Sequence, residues 1–242
     1  ILTPDPAGAR AFYADVLGWT FKELPGVGYG IQAGGVDVGG MFDVVSPRTP
    51  DGTRPVMAPL VKVDSADATA RIVRKTGGRA EDPFDVADAG RIAVCADPLG
   101  ASFDVWEPRK LKGTTVDTAA HGAPSWIENL TTDPARAAEF YCGVFGWTAQ
   151  LMPMGSFDYT VLNLGDEGVA GMMQIRPDMG DGKLPPHWGV YVTVDDLAAA
   201  ARAAERAGGS VCVPLQKIPG VGRFCGLASP HGVIFYAIAY AM

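Results

Sequence analysis

Four cysteines and three histidines are the residues of this chain best suited to metal ligation or nucleophilic attack, and their spacing supports neither. Cys95, Cys142, Cys212 and Cys225 form no CxxC pair, so neither a zinc site nor a disulfide frame is indicated. Reduced, mostly buried thiols in a cytoplasmic protein are the simplest account. His121 falls in a polar connection, His231 in a turn and His187 at the start of an apolar run. No nucleophile motif, phosphate-cradling loop or dinucleotide fingerprint is present. Gly34-Gly35 and Gly39-Gly40 sit where hairpins would turn.

The elements that would position any site are clearer, because one of them is written twice. Asp5-Pro-Ala-Gly-Ala-Arg-Ala-Phe-Tyr-Ala-Asp-Val-Leu-Gly-Trp-Thr20 returns 128 residues later as Asp133 to Thr148, with ten of sixteen positions identical. Asp is a strong N-cap, and Pro suits the first helical position. Ala9, Phe12, Tyr13, Val16 and Leu17 fall at helical spacing on one stripe. Gly18 and Gly146 stand where a left-handed C-cap is needed. Taken alone this is a well-capped packing helix; its repetition sets the architecture.

Around each copy the same order recurs. In the first half, strands are expected at Trp19–Leu24, Tyr29–Ala33 and Val36–Met41, then an exposed loop at Ser46–Arg54 and a strand at Pro55–Val63. A helix from Asp64 to Thr76 follows, then strands at Arg79–Phe84, Gly90–Cys95 and Ala101–Trp106. Asp97-Pro-Leu-Gly100 reads as a turn, matched by Ser229-Pro-His-Gly232 at an offset of 132. In the second half, Pro124–Thr132 alternates like a strand, and Asp195–Ala207 reads as the fourth helix. By the 128 offset, Ile1 matches Asn129, so the first half begins with most of that strand missing. The reading is α+β: four βαβββ modules paired into two domains, 1–107 and 124–242, joined by a linker at 108–123.

Bulk properties narrow the partners. A chain of 242 residues with 48% hydrophobic and 19% charged residues is globular. No apolar run approaches a membrane span, and no basic segment followed by an apolar one marks a signal peptide. A net charge of −7 without a run of Lys or Arg argues against nucleic acid and anionic membranes. Monomer and homodimer both stay open.

The Asp-Pro…Phe-Tyr…Gly-Trp helix, the Val194-Asp195-Asp196 helix start and the closing Pro-x-Gly turn resemble the vicinal oxygen chelate superfamily of glyoxalases, bleomycin-resistance proteins and extradiol dioxygenases. The resemblance covers nearly the whole chain and is strongest to tandem two-domain glyoxalase-like proteins. It implies an open, U-shaped sheet around a pocket, with three metal ligands in the metal-dependent members. Those three positions fall on Trp126, Gly189 and Tyr236 in the second half, and on a missing residue, Ala58 and Asp104 in the first. Trp and Gly side chains do not ligate, and one Tyr or one Asp does not make a divalent site. The chain therefore departs from the metalloenzyme pattern, and no cofactor is expected. A register slip of two residues would bring His187 to a ligand position.

The same resemblance implies which residues face the pocket, since strand side chains alternate. In the second half they are Trp126, Glu128 and Leu130, with Tyr191 and Tyr236; Trp188 is a further candidate contact. In the first half they are Ala58, Leu60, Lys62, Asp104 and Trp106, with Asp104 and Lys62 expected as an internal ion pair. Aromatic walls in place of metal ligands suit a flat, apolar molecule, although such aromatics also simply fill cores. A carboxylate such as Glu128 on an inward position must be paired or have a raised pKa.

The first reading is thus metal-independent binding of a flat aromatic or polycyclic small molecule, in antibiotic sequestration or natural-product biosynthesis. The rival is a metal-free enzyme of the same fold, with Glu128 and Tyr236 as candidate acid/base residues. A metal-dependent glyoxalase or dioxygenase is the third.

Overall fold

Helix α1 (Pro6–Leu17) shows why the repeated stretch folds locally. Its N-cap Asp5 accepts a 2.9 Å hydrogen bond from the Gly8 amide, and Gly18 closes it in the left-handed region at φ 66°. Helix α3 (Pro134–Phe145) repeats this with Asp133 and with Gly146 at φ 69°. The computed structural model describes residues 1–46, 49, 53–154, 157–177, 179 and 184–241.

All four βαβββ modules are present. The first contains β1 (Leu2–Thr3), α1, β2 (Thr20–Leu24), β3 (Gly28–Ala33) and β4 (Val36–Asp43). The second contains β5 (Leu60–Lys62), α2 (Ala66–Lys75), β6 (Arg79–Ala80), β7 (Phe84–Val86), β8 (Gly90–Ala96) and β9 (Ser102–Pro108). The third contains β10 (Pro124–Thr131), α3, β11 (Thr148–Met154), β12 (Phe157–Leu164) and β13 (Glu167–Gln174). The fourth contains β14 (His187–Thr193), α4 (Leu197–Arg206), β15 (Ser210–Ile218), β16 (Gly222–Ala228) and β17 (Ile234–Tyr240).

Two local expectations change. The strand expected at Pro55–Val63 shrinks to Leu60–Lys62, with Val56 forming only an isolated bridge to Leu2. The strand expected at Arg79–Phe84 breaks into β6 and β7 around Pro83, whose ring nitrogen cannot donate to the ladder. The loop at Ser46–Arg54 lies largely outside the described residues. No helix among them is long and apolar enough to cross a membrane.

The chain forms two compact units, and each takes one module from each half of the sequence. The first unit comprises Ile1–Met57, Gly113–Ser125 and Val190–Met242. It has strand orders β1-β4-β3-β2 and β14-β17-β16-β15, covered by α1 and α4. Phe12 and Tyr13 of α1 meet Phe235 of β17 at ring-centroid distances of 6.3 and 5.5 Å. A side chain at Gly209 would come within 2.8 Å of the Phe12 ring, so the bare backbone there admits that ring.

The second unit comprises Ala58–Lys112 and Trp126–Gly189, with strand orders β5-β9-β8-β6 and β11-β12-β13-β10. Its core joins Phe103 of β9 to Phe140, Tyr141 and Phe145 of α3. Here Gly78 admits the Phe140 ring, which a side chain would approach to 2.8 Å. Gly78 and Gly209 are equivalent, as are Phe140 and Phe12, so both units use the same joint.

Candidate functional site

The third module places an aromatic wall on one face of its sheet. Strand β10 runs parallel to β13, with Glu128 opposite Gly171 and Leu130 opposite Met173. Strand β12 is antiparallel to β13, with Tyr159 opposite Met173. Alternation then puts Trp126, Glu128, Tyr159 and Gly171 on one face. Trp126 Nε1 donates a 3.0 Å hydrogen bond to the Tyr159 hydroxyl. Gly171 is what permits this: a methyl group there would overlap the Tyr159 hydroxyl and lie 2.9 Å from Trp126 Nε1. The two rings are half-buried, and Glu128 beside them is only 8% exposed.

The first unit carries a second aromatic group. Tyr191 and Tyr236 are direct partners on the parallel strands β14 and β17, stacked at 4.7 Å with their planes 16° apart. Phe224 of β16 meets both edge-on, at 5.6 and 6.0 Å. Tyr191 is 4% and Tyr236 6% exposed, so they stack on each other. Gly226, opposite Tyr236, leaves the space that Val213 fills.

The remaining sequence candidates take structural places. Trp188 is a correction: it leaves β14 on the face opposite to His187 and Gly189, and enters the core. There its Nε1 donates a 2.7 Å hydrogen bond to the Tyr141 hydroxyl. Trp106 is buried, lies over Gly90 and donates to the Leu111 carbonyl at 3.0 Å. Asp104 and Lys62 form no ion pair among the described residues; Asp104 stands opposite Leu60, and Lys62 opposite Trp106. Burial pushes the Asp104 carboxyl up to about 7. His187 keeps Nδ1 2.8 Å from the Pro185 carbonyl, its Nε2 is buried without a hydrogen-bond partner among the described residues, and burial lowers its pKa.

The structure thus joins Trp126 to Glu128 and Tyr159, and Tyr191 to Tyr236 and Phe224. Tyr159 and Phe224 were missed by sequence reasoning; the signal for Tyr159 is Gly171 on the neighbouring strand β13, and Phe224 carries no comparable signal. The donor set does not fit a resident metal. The Trp126 indole offers only an N–H, already engaged by Tyr159; Gly189 offers no side-chain atom; and the Tyr236 phenol is buried against Tyr191. Among the described residues no three His, Cys, Asp or Glu side chains gather closely enough to hold an ion.

Comparison with known proteins agrees with this architecture. A glyoxalase-like domain model matches residues 1–106, and a glyoxalase/bleomycin resistance protein/dioxygenase superfamily model matches 124–235. The putative glyoxylase CFP32 of Mycobacterium tuberculosis is 36% identical over 239 residues, covering 96% of this chain and 90% of that protein. The anthracycline biosynthesis protein DnrV of Streptomyces peucetius is 30% identical over 251 residues, covering 98% and 90%. Among solved structures, the Mn(II)-bound glyoxalase from Novosphingobium aromaticivorans is similar with a TM-score of 0.66 at 19% identity, covering 98% of this chain and 79% of that one. At that identity the likeness speaks to the fold alone.

Proposed function

The chain belongs to the glyoxalase/bleomycin resistance protein/dioxygenase superfamily, and from that footing we propose that it binds a flat, largely apolar aromatic molecule without a resident metal. The observation that carries this reading is the Trp126–Tyr159 pair laid over Gly171. Where the superfamily's metal-dependent members present a ligand, this chain presents an indole face held in orientation by a hydrogen bond. A flat ring stacked on that face would bury on the order of 150–250 Å². Glu128, one inward step along β10, is placed to accept a hydrogen bond from a hydroxyl or amine at the ligand's edge. A relative named for anthracycline biosynthesis is in keeping with this ligand class, since anthracyclines are flat polycyclic aromatics.

The test is a titration of a hydroxylated anthraquinone into the full chain by calorimetry. Trp126→Ala should weaken binding about ten- to a hundredfold, or roughly 1.4–2.7 kcal/mol. Wild-type affinity in that variant, or no saturable binding to the wild type, would sink the reading.

One observation favours a second reading, a metal-free enzyme. Glu128 is a buried carboxylate opposite Gly171, over which the Tyr159 hydroxyl lies, and buried carboxylates can serve as general bases. Glu128→Gln separates the two. In a binder it weakens affinity modestly; in an enzyme it abolishes turnover of the bound molecule and spares affinity.

A further inference from the structure

The second unit contains a cleft of about 610 Å³ between the start of α3, the strands β11 and β12, and the end of β13 with the residues that follow it, Ile175 to Pro177. Tyr159 and Thr160 are consecutive, so their side chains leave opposite faces of the sheet. Ala149, Leu151, Asp158 and Thr160 line it from the face opposite to the Trp126 wall; Phe157 and Met173, of the other alternation, also line it, and Trp126 and Tyr159 do not.

Internal symmetry shows why the cleft exists. Helix positions match at an offset of 128, so Ala138 of α3 stands where Arg10 stands on α1. The hairpin registers match as well. Phe21 faces Ile31 and Glu23 faces Tyr29 in the first module, as Ala149 faces Leu162 and Leu151 faces Thr160 in the third. Ala149 is therefore the counterpart of Phe21, and Thr160 the counterpart of Tyr29. In the first module this space is filled, with the Arg10 guanidinium 4.1 Å above the Tyr29 ring. In the third module all three filling side chains are replaced by small ones, and all three replacements line the cleft.

The volume opened is that of two aromatic rings and one aliphatic stem. Leu151, 61% exposed at the cleft, and Phe157 supply apolar wall. A cleft of this size falls within the range of small-molecule sites, and Asp158, Gln174 and Arg176 add polar groups to its lining. We propose that it is a second binding site, for a compact apolar aromatic molecule of about two fused rings. The ligand's rings would occupy the space that Phe21 and Tyr29 occupy in the first module. This proposal does not depend on the Trp126 wall.

The experiment uses 2-naphthol as probe on the full chain, followed by calorimetry. The wild type should bind it saturably, and Ala149→Phe and Thr160→Tyr, which restore the first module's side chains, should each weaken binding about tenfold or more. Binding of the anthraquinone should be unchanged in both variants, so this site and the Trp126 site fail or stand separately. Circular dichroism checks folding; if either variant unfolds, Ala138→Leu carries the test under the same criteria. The proposal is overturned if the wild type shows no saturable binding of 2-naphthol, or if the folded variants bind it as the wild type does.

Discussion

The Tyr141 hydroxyl donates a 3.0 Å hydrogen bond to the buried Asp97 carboxylate, tying α3 of the second half to the turn between β8 and β9 of the first. The same carboxylate accepts from the Leu99 and Ala101 amides at 2.9 Å, and Trp188 Nε1 donates to the Tyr141 oxygen. Tyr141→Phe removes a charge-assisted bond and strands the Trp188 donor. It should lower unfolding free energy by about 2–3 kcal/mol in urea titrations. A loss under about 0.5 kcal/mol would show that the pin contributes little.

Asp104 gives a pH signature. Burial raises its folded pKa to about 7, so the folded state holds a proton that the unfolded chain releases near pH 4. Stability from this group is full below about pH 4 and is lost as pH rises to about 7. Asp104→Asn should therefore raise Tm at pH 8 and leave it nearly unchanged at pH 4. An equal shift at both values would rule out the buried carboxyl as the cause.

Tyr159→Phe keeps the ring and removes the acceptor of the Trp126 indole. The indole then loses its fixed orientation, and anthraquinone affinity should fall about three- to tenfold, less than for Trp126→Ala. A loss as large as that of Trp126→Ala would mean that Tyr159 itself contacts the ligand.

Gly78→Ala and Gly209→Ala test the repeated joint. Each added methyl meets a backbone carbonyl and a phenyl ring, Phe140 in one case and Phe12 in the other. Each should cost roughly 1–3 kcal/mol. Gly143→Ala serves as control, because its nearest neighbour is the Thr76 methyl at 3.9 Å. Denaturation midpoints for the three variants decide the matter.

The helices and most strands were legible because their signals are local: a cap, a stripe, a closing glycine. Module partnership was not, since Gly78 and Gly209 offer the same receptor to Phe12 and Phe140 alike. Only the folded chain shows which ring enters which. That Glu128 shares a face with Trp126 follows from alternation along β10. That Tyr159 joins them does not, because it reaches Trp126 across β13, and that register is fixed by the whole sheet. Trp188 was misplaced because it stands one residue from an inward position, and one step along a strand changes the face.

The first unit is built from both ends of the chain, with Ile1–Met57 completed by Val190–Met242. This has a consequence for synthesis. The apolar stripe of α1 leaves the ribosome well before Phe235 and α4 are translated. At ~5–20 residues per second, the stretch from Met57 to Val190 is a wait on the order of ten seconds. The second unit, lying between, can close first. Phe12, Tyr13, Val16 and Leu17 meanwhile remain an apolar stripe on the nascent chain, before the Phe235 ring that meets Phe12 and Tyr13 exists.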